Sequence, residues 1–182
     1  MKLLVTGGCG FIGSNFIRSL NSLNIEVLNL DFMGHGSLDI PKVQNDLNLD
    51  IQNVKVDLYN SSKVREAFFA FNPTHVINFA AESHVDNSIK DPKRFYENNV
   101  GGVINLLSII ADKNIRFHQV STDEVFGSLS LNSKRKFEIY DKYDPSSPYS
   151  ASKASADIFI KAFAKTYGCL LYTSDAADDG LC

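Results

Sequence analysis

The chain has 182 residues, 44% of them hydrophobic and 21% charged, and its 18 Lys and Arg against 21 Asp and Glu give a net charge of −3. That length supports one domain with a buried core, and the composition is that of a soluble globular protein. The absence of a basic block excludes nucleic acid and anionic membrane surfaces as expected partners, and no apolar run reaches the length of a membrane-spanning helix.

The opening stretch "KLLVTG" is apolar and ends in glycine, so it reads as a buried strand. It stops at Gly7, too soon for the apolar segment of a signal peptide. "FIGSNFIRSLNSL" carries apolar residues at Phe11, Ile12, Phe16, Ile17 and Leu20, which is helical spacing. "IEVLNLD" predicts a second strand, and "VKVD" at 54–57 a third. "SKVREAFFAF" predicts a helix capped by Ser61 or Ser62. "HVINFAA" is a fourth strand, 92–113 is mostly helical, and "IRFHQVST" is a fifth strand. "PSSPYSASKASADIFIKAFAKTYG" begins with two prolines and turns helical up to Gly168. "CLLYT" is a candidate sixth strand, followed by the acidic "SDAADDG". Cys9, Cys169 and Cys182 have neither metal nor disulfide spacing, so no metal is expected and a reduced cytoplasmic setting is the simplest reading.

Strands alternating with helices imply βαβ units and a parallel sheet covered on both faces. The loops 32–50 and 127–148 are longer than a compact domain usually carries, and such loops are often functional.

"TGGCGFIGS" joins the first strand to the first helix, with Gly7, Gly10 and Gly13 spaced G-x-x-G-x-x-G. Strand, glycine turn and helix together are the context of a dinucleotide-binding loop. Gly7 permits the tight turn, Gly10 lets backbone approach a pyrophosphate, and Gly13 lets helix and strand pack closely. The helix N-terminus offers free N–H groups and partial positive charge to the phosphates. Asp31 ends the second strand 18 residues beyond Gly13, where an acid accepts from the adenosine ribose and rejects a 2′-phosphate. The expected cofactor is therefore NAD rather than NADP. The expected fold is α/β, a Rossmann-type doubly wound parallel sheet with helices on both faces. Such a sheet normally runs further than this chain, which implies C-terminal truncation.

In "YSASK", Tyr149 and Lys153 are four apart and share one helix face. A nearby ammonium favours the phenolate, so the expectation is a lowered tyrosine pKa and a usable base. "VSTDEVFG" sets Thr122, Asp123 and Glu124 at the end of the fifth strand. Ligands of open α/β sheets bind at the carboxyl ends of strands. Neighbouring acids in a half-buried cleft push each other's pKa values apart, so one can act as acid and the other as base. Adjacent side chains on a strand point to opposite sides, so both acids reach one substrate only if the strand has already turned.

Four stretches, "LLVTGGCGFIGSNFIR", "FAAESHVDNSI", "VSTDEVFG" and "YSASKASAD", resemble the extended short-chain dehydrogenase/reductase superfamily. The likeness covers 1–168 and is strongest to its nucleotide-sugar 4,6-dehydratases, notably those acting on dTDP-glucose. The acid pair after Thr122 discriminates, because sugar epimerases of the superfamily generally lack it. The resemblance implies a Rossmann domain over 1–168 holding NAD and the catalytic residues. It implies cofactor contacts from Gly7, Gly10, Phe11, Ile12, Gly13, Asp31, Ala80 and Ala81. Asp57 and Leu58 would flank the adenine and Asn99 would lie on the nicotinamide side. An ordinary helix cap suits Asp57 as well, and a structural hydrogen bond suits Asn99. Ser83 and His84 would lie near cofactor or sugar, although a lone histidine is more often structural.

The implied chemistry is an internal redox elimination. Tyr149 takes the 4-hydroxyl proton as C4 gives hydride to NAD, with Lys153 on the nicotinamide ribose and Thr122 on the 4-oxygen. Glu124 removes the C5 proton, Asp123 protonates the departing C6 hydroxyl, and hydride returns to C6. Relatives are expected to pair as homodimers through the helices near 92–113 and 149–167. The chain departs from the pattern at Phe32 and Met33, where a lysine usually follows the second strand's acid, and at Phe126, usually tyrosine. Residues 169–182 are unlike the family's continuation, and the substrate domain is expected to be missing. A UDP-glucose dehydratase, a 4-epimerase and a non-catalytic NAD-binding module remain the alternatives.

Overall fold

The computed structural model describes residues 1–20, 23–34, 37–38, 51–130 and 132–174. Most of the predicted 32–50 loop, and the acidic tail from residue 175 on, lie outside the described residues.

Among the described residues, six strands form one parallel sheet: β1 (Lys2–Thr6), β2 (Glu26–Asp31), β3 (Ile51–Lys55), β4 (His75–Asn78), β5 (Arg116–Val120) and β6 (Leu170–Ser174). Their order is β3-β2-β1-β4-β5-β6, so the winding direction reverses between β1 and β4. A doubly wound sheet opens its ligand crevice at that reversal. The helices are α1 (Phe11–Ser19), α2 (Ser61–Phe71), α3 (Val85–Lys90), α4 (Pro92–Phe95), α5 (Gly102–Ile110) and α6 (Pro148–Tyr167). A π-helical turn, Tyr96–Gly101, joins α4 to α5.

Successive strand residues feed different layers. Leu4, Leu28, Val76 and Phe117 pack with Phe68 of α2, Leu106 of α5 and Ile160 of α6. Leu3, Val5 and Val27 pack on the other face with Ile17 and Leu20. Near-continuous apolar strands follow from having both faces buried.

The differences from expectation are local. The first helix ends at Ser19, short of Leu23. The third strand is Ile51–Lys55 rather than 54–57; Val56 adds one more bond, its N–H reaching the Asp31 carbonyl at 2.8 Å. The cap of α2 is Asn60, whose side chain accepts from Lys63 N, so neither Ser61 nor Ser62 caps it. An amide oxygen one residue earlier reaches the same orphan N–H groups. The fourth and fifth strands stop at Asn78 and Val120. Val85–Lys90, for which no element is expected from the sequence, forms α3. The candidate sixth strand is present and pairs with β5 past Gly168.

α6 begins with Pro148 behind a reciprocal cap between Ser147 and Ser150, and ends on Gly168 in the left-handed region. Proline at the first position and glycine after the last give the helix two sharp ends. Tyr149 and Lys153 are fixed in the first turns of that anchored helix.

Phe117 is fully buried in β5, directly behind the strand end that carries the acids. Phe117→Ala is expected to lower stability by about 3–5 kcal/mol, the cost of an aromatic-sized cavity. Urea unfolding of the two chains measures it, and a loss below about 1 kcal/mol would contradict this core assignment.

Candidate active site

The glycine loop crosses the carboxyl end of β1. Gly7 has φ +71°, and a Cβ there would stand 2.6 Å from Ala80 N, so the turn and the close β4 crossing both require glycine. A Cβ on Gly13 would sit 2.3 Å from the Gly7 carbonyl oxygen, which fixes the packing of α1 on the loop. Gly10 is the N-cap of α1, and among the described residues no side chain caps the helix's first N–H groups. Those donors are left for an anion.

Asp31 is buried beside the loop. Its Oδ2 accepts from Cys9 N at 2.8 Å and its Oδ1 from Met33 N at 2.7 Å. Each oxygen keeps a lone pair for a further donor such as a ribose hydroxyl. Asn29 holds the loop from below: its Oδ1 accepts from Gly8 N at 2.9 Å, and its Nδ2 donates to Asn53 Oδ1 at 3.0 Å. Burial, with the Asp31 charge, pushes the Cys9 thiol up to about 11, so it is no nucleophile here.

A cavity of about 380 Å³ runs from this loop along β4. Gly7, Gly10, Asp31 and Leu58 line its first part, and Ala80, Ala81, Ser83 and His84 the next. Asp57 is not in that lining. Its Oδ1 accepts from Tyr59 N at 2.8 Å, a local turn rather than a helix cap. Phe11 and Ile12 point outward, 83% and 60% exposed. Asn99 is buried in the π-helical turn with its amide fully used. Its Oδ1 accepts from Glu82 N at 2.8 Å, and its Nδ2 donates to Glu82 O and Ser152 Oγ, both at 2.9 Å. Its neighbour Asn98 lines the cavity instead.

The acids sit on a 3₁₀ turn, Asp123–Phe126, capped by the Thr122 side chain at 3.4 Å from Glu124 N. β5 has already ended at Val120, so the condition for both acids to face one site is met. Thr122 hydrogen-bonds Tyr149, and both carboxylates act electrostatically on that phenol. Phe95 holds the ring edge-on, with centroids 6.3 Å apart. Thr122, Asp123, Glu124 and Tyr149 therefore form one cluster between β5 and α6.

The electrostatics differ from the expected pattern at Tyr149. Burial, then the charges of Glu124 and Asp123, push its phenol up, and among the described residues only the Thr122 bond pulls it down. Lys153 is not among the groups acting on it. Its Nζ instead donates to the Val120 carbonyl at 2.7 Å, and burial drives its ammonium down to about 8. Glu124 is raised, first by burial and then by Asp123. A raised carboxyl is the stronger proton acceptor once ionised.

A buried polar row leads to the same lysine. Thr6, Asn78 and Gln119 are register partners across β1, β4 and β5. The Thr6 hydroxyl donates to Asn78 Oδ1, Asn78 Nδ2 to Gln119 Oε1 at 2.7 Å, and Gln119 Nε2 to the Val120 carbonyl at 3.2 Å. The sequence carries a signal for this row: a polar residue near the carboxyl end of otherwise apolar strands, as in "LLVTG", "HVINF" and "FHQVS". Among the described residues no cluster suited to a metal ion exists, and no helix is long and apolar enough to cross a membrane.

Lys153 binds fewer protons folded than unfolded, since its value falls from 10.5 to about 8. Stability should therefore rise with pH between those values and stay flat below them. Lys153→Met should lack that rise. Urea unfolding of both chains across this range measures it, and parallel pH curves would contradict the lysine's burial as an ammonium.

A family model described as GDP-mannose 4,6 dehydratase matches residues 4–175. A probable dTDP-glucose 4,6-dehydratase of Sinorhizobium fredii is 41% identical over 98% of this chain and 53% of its own length. The dTDP-glucose 4,6-dehydratase of Mycolicibacterium smegmatis is 39% identical over 92% of this chain and 50% of its own. The chain thus spans about half the length of the curated relatives it matches. Among solved structures, the dTDP-glucose 4,6-dehydratase DesIV of Streptomyces venezuelae, with NAD and TYD bound, superposes with TM-score 0.86 at 34% identity, covering 96% of this chain and 55% of that one. The UDP-glucose 4-epimerase of Thermotoga maritima, solved with UDP-glucose, reaches 0.83 at 26% identity over 95% and 54% of the two chains. The chain belongs to the GDP-mannose 4,6-dehydratase family, within the short-chain dehydrogenase/reductase superfamily.

Proposed function

We propose that this chain carries the NAD site and catalytic residues of a nucleotide-sugar 4,6-dehydratase, acting on dTDP-glucose to give the 4-keto-6-deoxy sugar nucleotide. The observation that carries the reading is the 3₁₀ turn at Asp123–Phe126, which sets two carboxylates beside Tyr149. The cleft suits the cofactor: a glycine cradle that a Cβ would fill, a helix start with no side-chain cap, and a buried carboxylate with spare lone pairs. Gly7, Gly10 and Asp31 would hold it, and NAD when bound supplies hydride acceptance from C4 and its return to C6.

The chain's own residues handle the protons. Tyr149 takes the 4-hydroxyl proton while Thr122 donates to the 4-oxygen. Tyr149 is pushed up by burial and by the acids and pulled down by the Thr122 hydroxyl, while Lys153 would hold the nicotinamide ribose. The 4-ketone acidifies the C5 proton, which Glu124 removes, Asp123 protonates the C6 hydroxyl as it leaves as water, and C5 is reprotonated to give the product. An epimerase needs only the first exchange at C4, so the acid pair favours dehydration. Ser83 and His84, exposed along the cavity, are placed to meet the sugar. The grip on the nucleotide is assigned to the second half that relatives carry.

We extend the proposal to a homodimer through the helices near 92–113 and 149–167, which expose Tyr96, Ile158 and Phe159. Light scattering on the chain joined to that second half is expected to give twice the monomer mass, and a monomer would remove the dimer from the proposal.

In the same joined protein, Glu124→Gln is expected to leave NAD binding within about twofold and to lower C5 deuterium exchange by at least about a hundredfold, the size of a lost general base. Titration calorimetry and NMR of the sugar measure the two. Undiminished exchange would refute the role of Glu124. A C4 epimer in place of the keto product would move the assignment to an epimerase, and NAD binding without turnover would mark a non-catalytic module.

A further inference from the structure

α6 carries a third ionisable residue in the same series. Asp157 stands four beyond Lys153, as Lys153 stands four beyond Tyr149. It is 1% exposed, and none of the steps above uses it. Its Oδ2 accepts from the Ser121 hydroxyl and, at 3.4 Å, from the Tyr143 hydroxyl. Its Oδ1 is buried with no hydrogen-bond partner among the described residues. An unpaired buried carboxylate oxygen is expensive, so charge nearby must compensate it.

The groups facing Asp157 come from three elements. The end of β5 supplies Ser121, the 127–148 loop supplies Tyr143, and α6 itself supplies Lys153 and Lys161. Lys161 Nζ lies 4.6 Å from the Tyr143 ring centroid and donates to its hydroxyl at 3.1 Å. Each of these groups is a donor or a cation, and all four favour the ionised carboxyl against burial, which pushes it up. The acids Asp123 and Glu124 act on Tyr149 instead. Lys153 is 4% exposed, and among the described residues Asp157 is the one charge that supports its ammonium against burial.

Asp157 also grips the catalytic turn from both sides. Ser121 immediately precedes Thr122. Tyr143 packs on Phe126 at the turn's far end, with centroids 5.4 Å apart, and Asp144 N donates to the Val125 carbonyl at 3.0 Å. One carboxylate thus touches the residue before the turn and the loop that closes over it.

We propose that Asp157 is a positioning residue: its carboxylate keeps Lys153 a cation inside the seam between β5 and α6 and, through Ser121 and Tyr143, fixes the turn bearing Thr122, Asp123 and Glu124. Its effect on turnover rests on the role proposed above for Tyr149 and Lys153. Its effect on Lys153 does not.

The test is an NMR titration of the ¹³Cε lysine signals in the full chain, with Lys153→Arg identifying the resonance. Asp157→Asn keeps shape and removes charge. It is expected to move the Lys153 titration to lower pH by about one unit or more, and Asp157→Glu to restore part of the shift. Unchanged titration in Asp157→Asn would overturn the proposal. Should that variant fail to fold, the carboxyl ¹³C signal of Asp157 in the unsubstituted chain decides. It must report an ionised group where Lys153 takes up its proton, and a neutral one overturns the proposal. In the joined protein, Asp157→Asn should shift the alkaline limb of kcat to lower pH and lower kcat more than it raises KM. A fall in melting temperature with the limb unmoved would leave Asp157 a purely structural role and refute the proposal. An inactive unsubstituted protein would count against the dehydratase reading, while the titration would still decide this one.

Discussion

An ammonium sealed between a strand end and a helix is the constraint on which the site depends. Lys153 has the Val120 carbonyl at 2.7 Å and almost no contact with solvent. Burying such a charge is costly unless the surrounding groups are fixed to receive it. The molecule meets this with rigid parts: a doubly capped helix on one side and a hydrogen-bonded polar row across three strands on the other. The row begins at Thr6, which also accepts from Ala80 N at 3.4 Å beside the glycine loop. The glycine-loop side and the acid-turn side therefore share one buried polar frame. Low dielectric makes every bond in that frame stronger, and every missing partner more expensive.

The topology explains why these parts meet. The winding of the sheet reverses between β1 and β4, which leaves the ends of both strands uncovered. The glycine loop after β1, the small residues after β4 and the acid turn after β5 all occupy that uncovered rim. Two layers of apolar side chains, one on each face, hold the strands in register. A slip of one residue in β4 or β5 would carry Asn78 or Gln119 to the opposite face of the sheet and break the row. The π-helical turn adds a second brace, since its Asn99 ties the segment after β4 to Ser152 on α6. π-helical turns recur at functional sites because they re-aim one side chain out of the helical pattern.

Fold likeness alone does not separate reactions here. A dehydratase and an epimerase superpose on the chain almost equally well, with TM-scores of 0.86 and 0.83. The feature on which the proposed dehydration rests is local: two carboxylates on a turn that begins just after β5 ends. Chemistry is grafted on this frame at strand ends, where a few residues alter the reaction without altering the sheet.

Much of this was legible in the amino-acid order. Apolar runs ending in glycine or acid gave the strands, and G-x-x-G-x-x-G with Asp31 gave the loop, because period and local stereochemistry depend only on near neighbours. The capping amide of Asn60 was misread because several nearby polar residues can reach the same N–H groups. The direction of the Tyr149 shift was misread for a deeper reason. A spacing of four puts Tyr149 and Lys153 on one helix face, but it does not say what covers that face. β5 and the acid turn cover it, so burial and the acids dominate the phenol, and the lysine turns to a carbonyl. The importance of Asp157, and the spending of Asn99 on backbone rather than on the cleft, arise the same way. Sequence by itself determined which groups are present and along which faces they run. Only the tertiary structure decided which were stripped of water and whom they then faced, because desolvation belongs to surfaces brought together from distant parts of the chain.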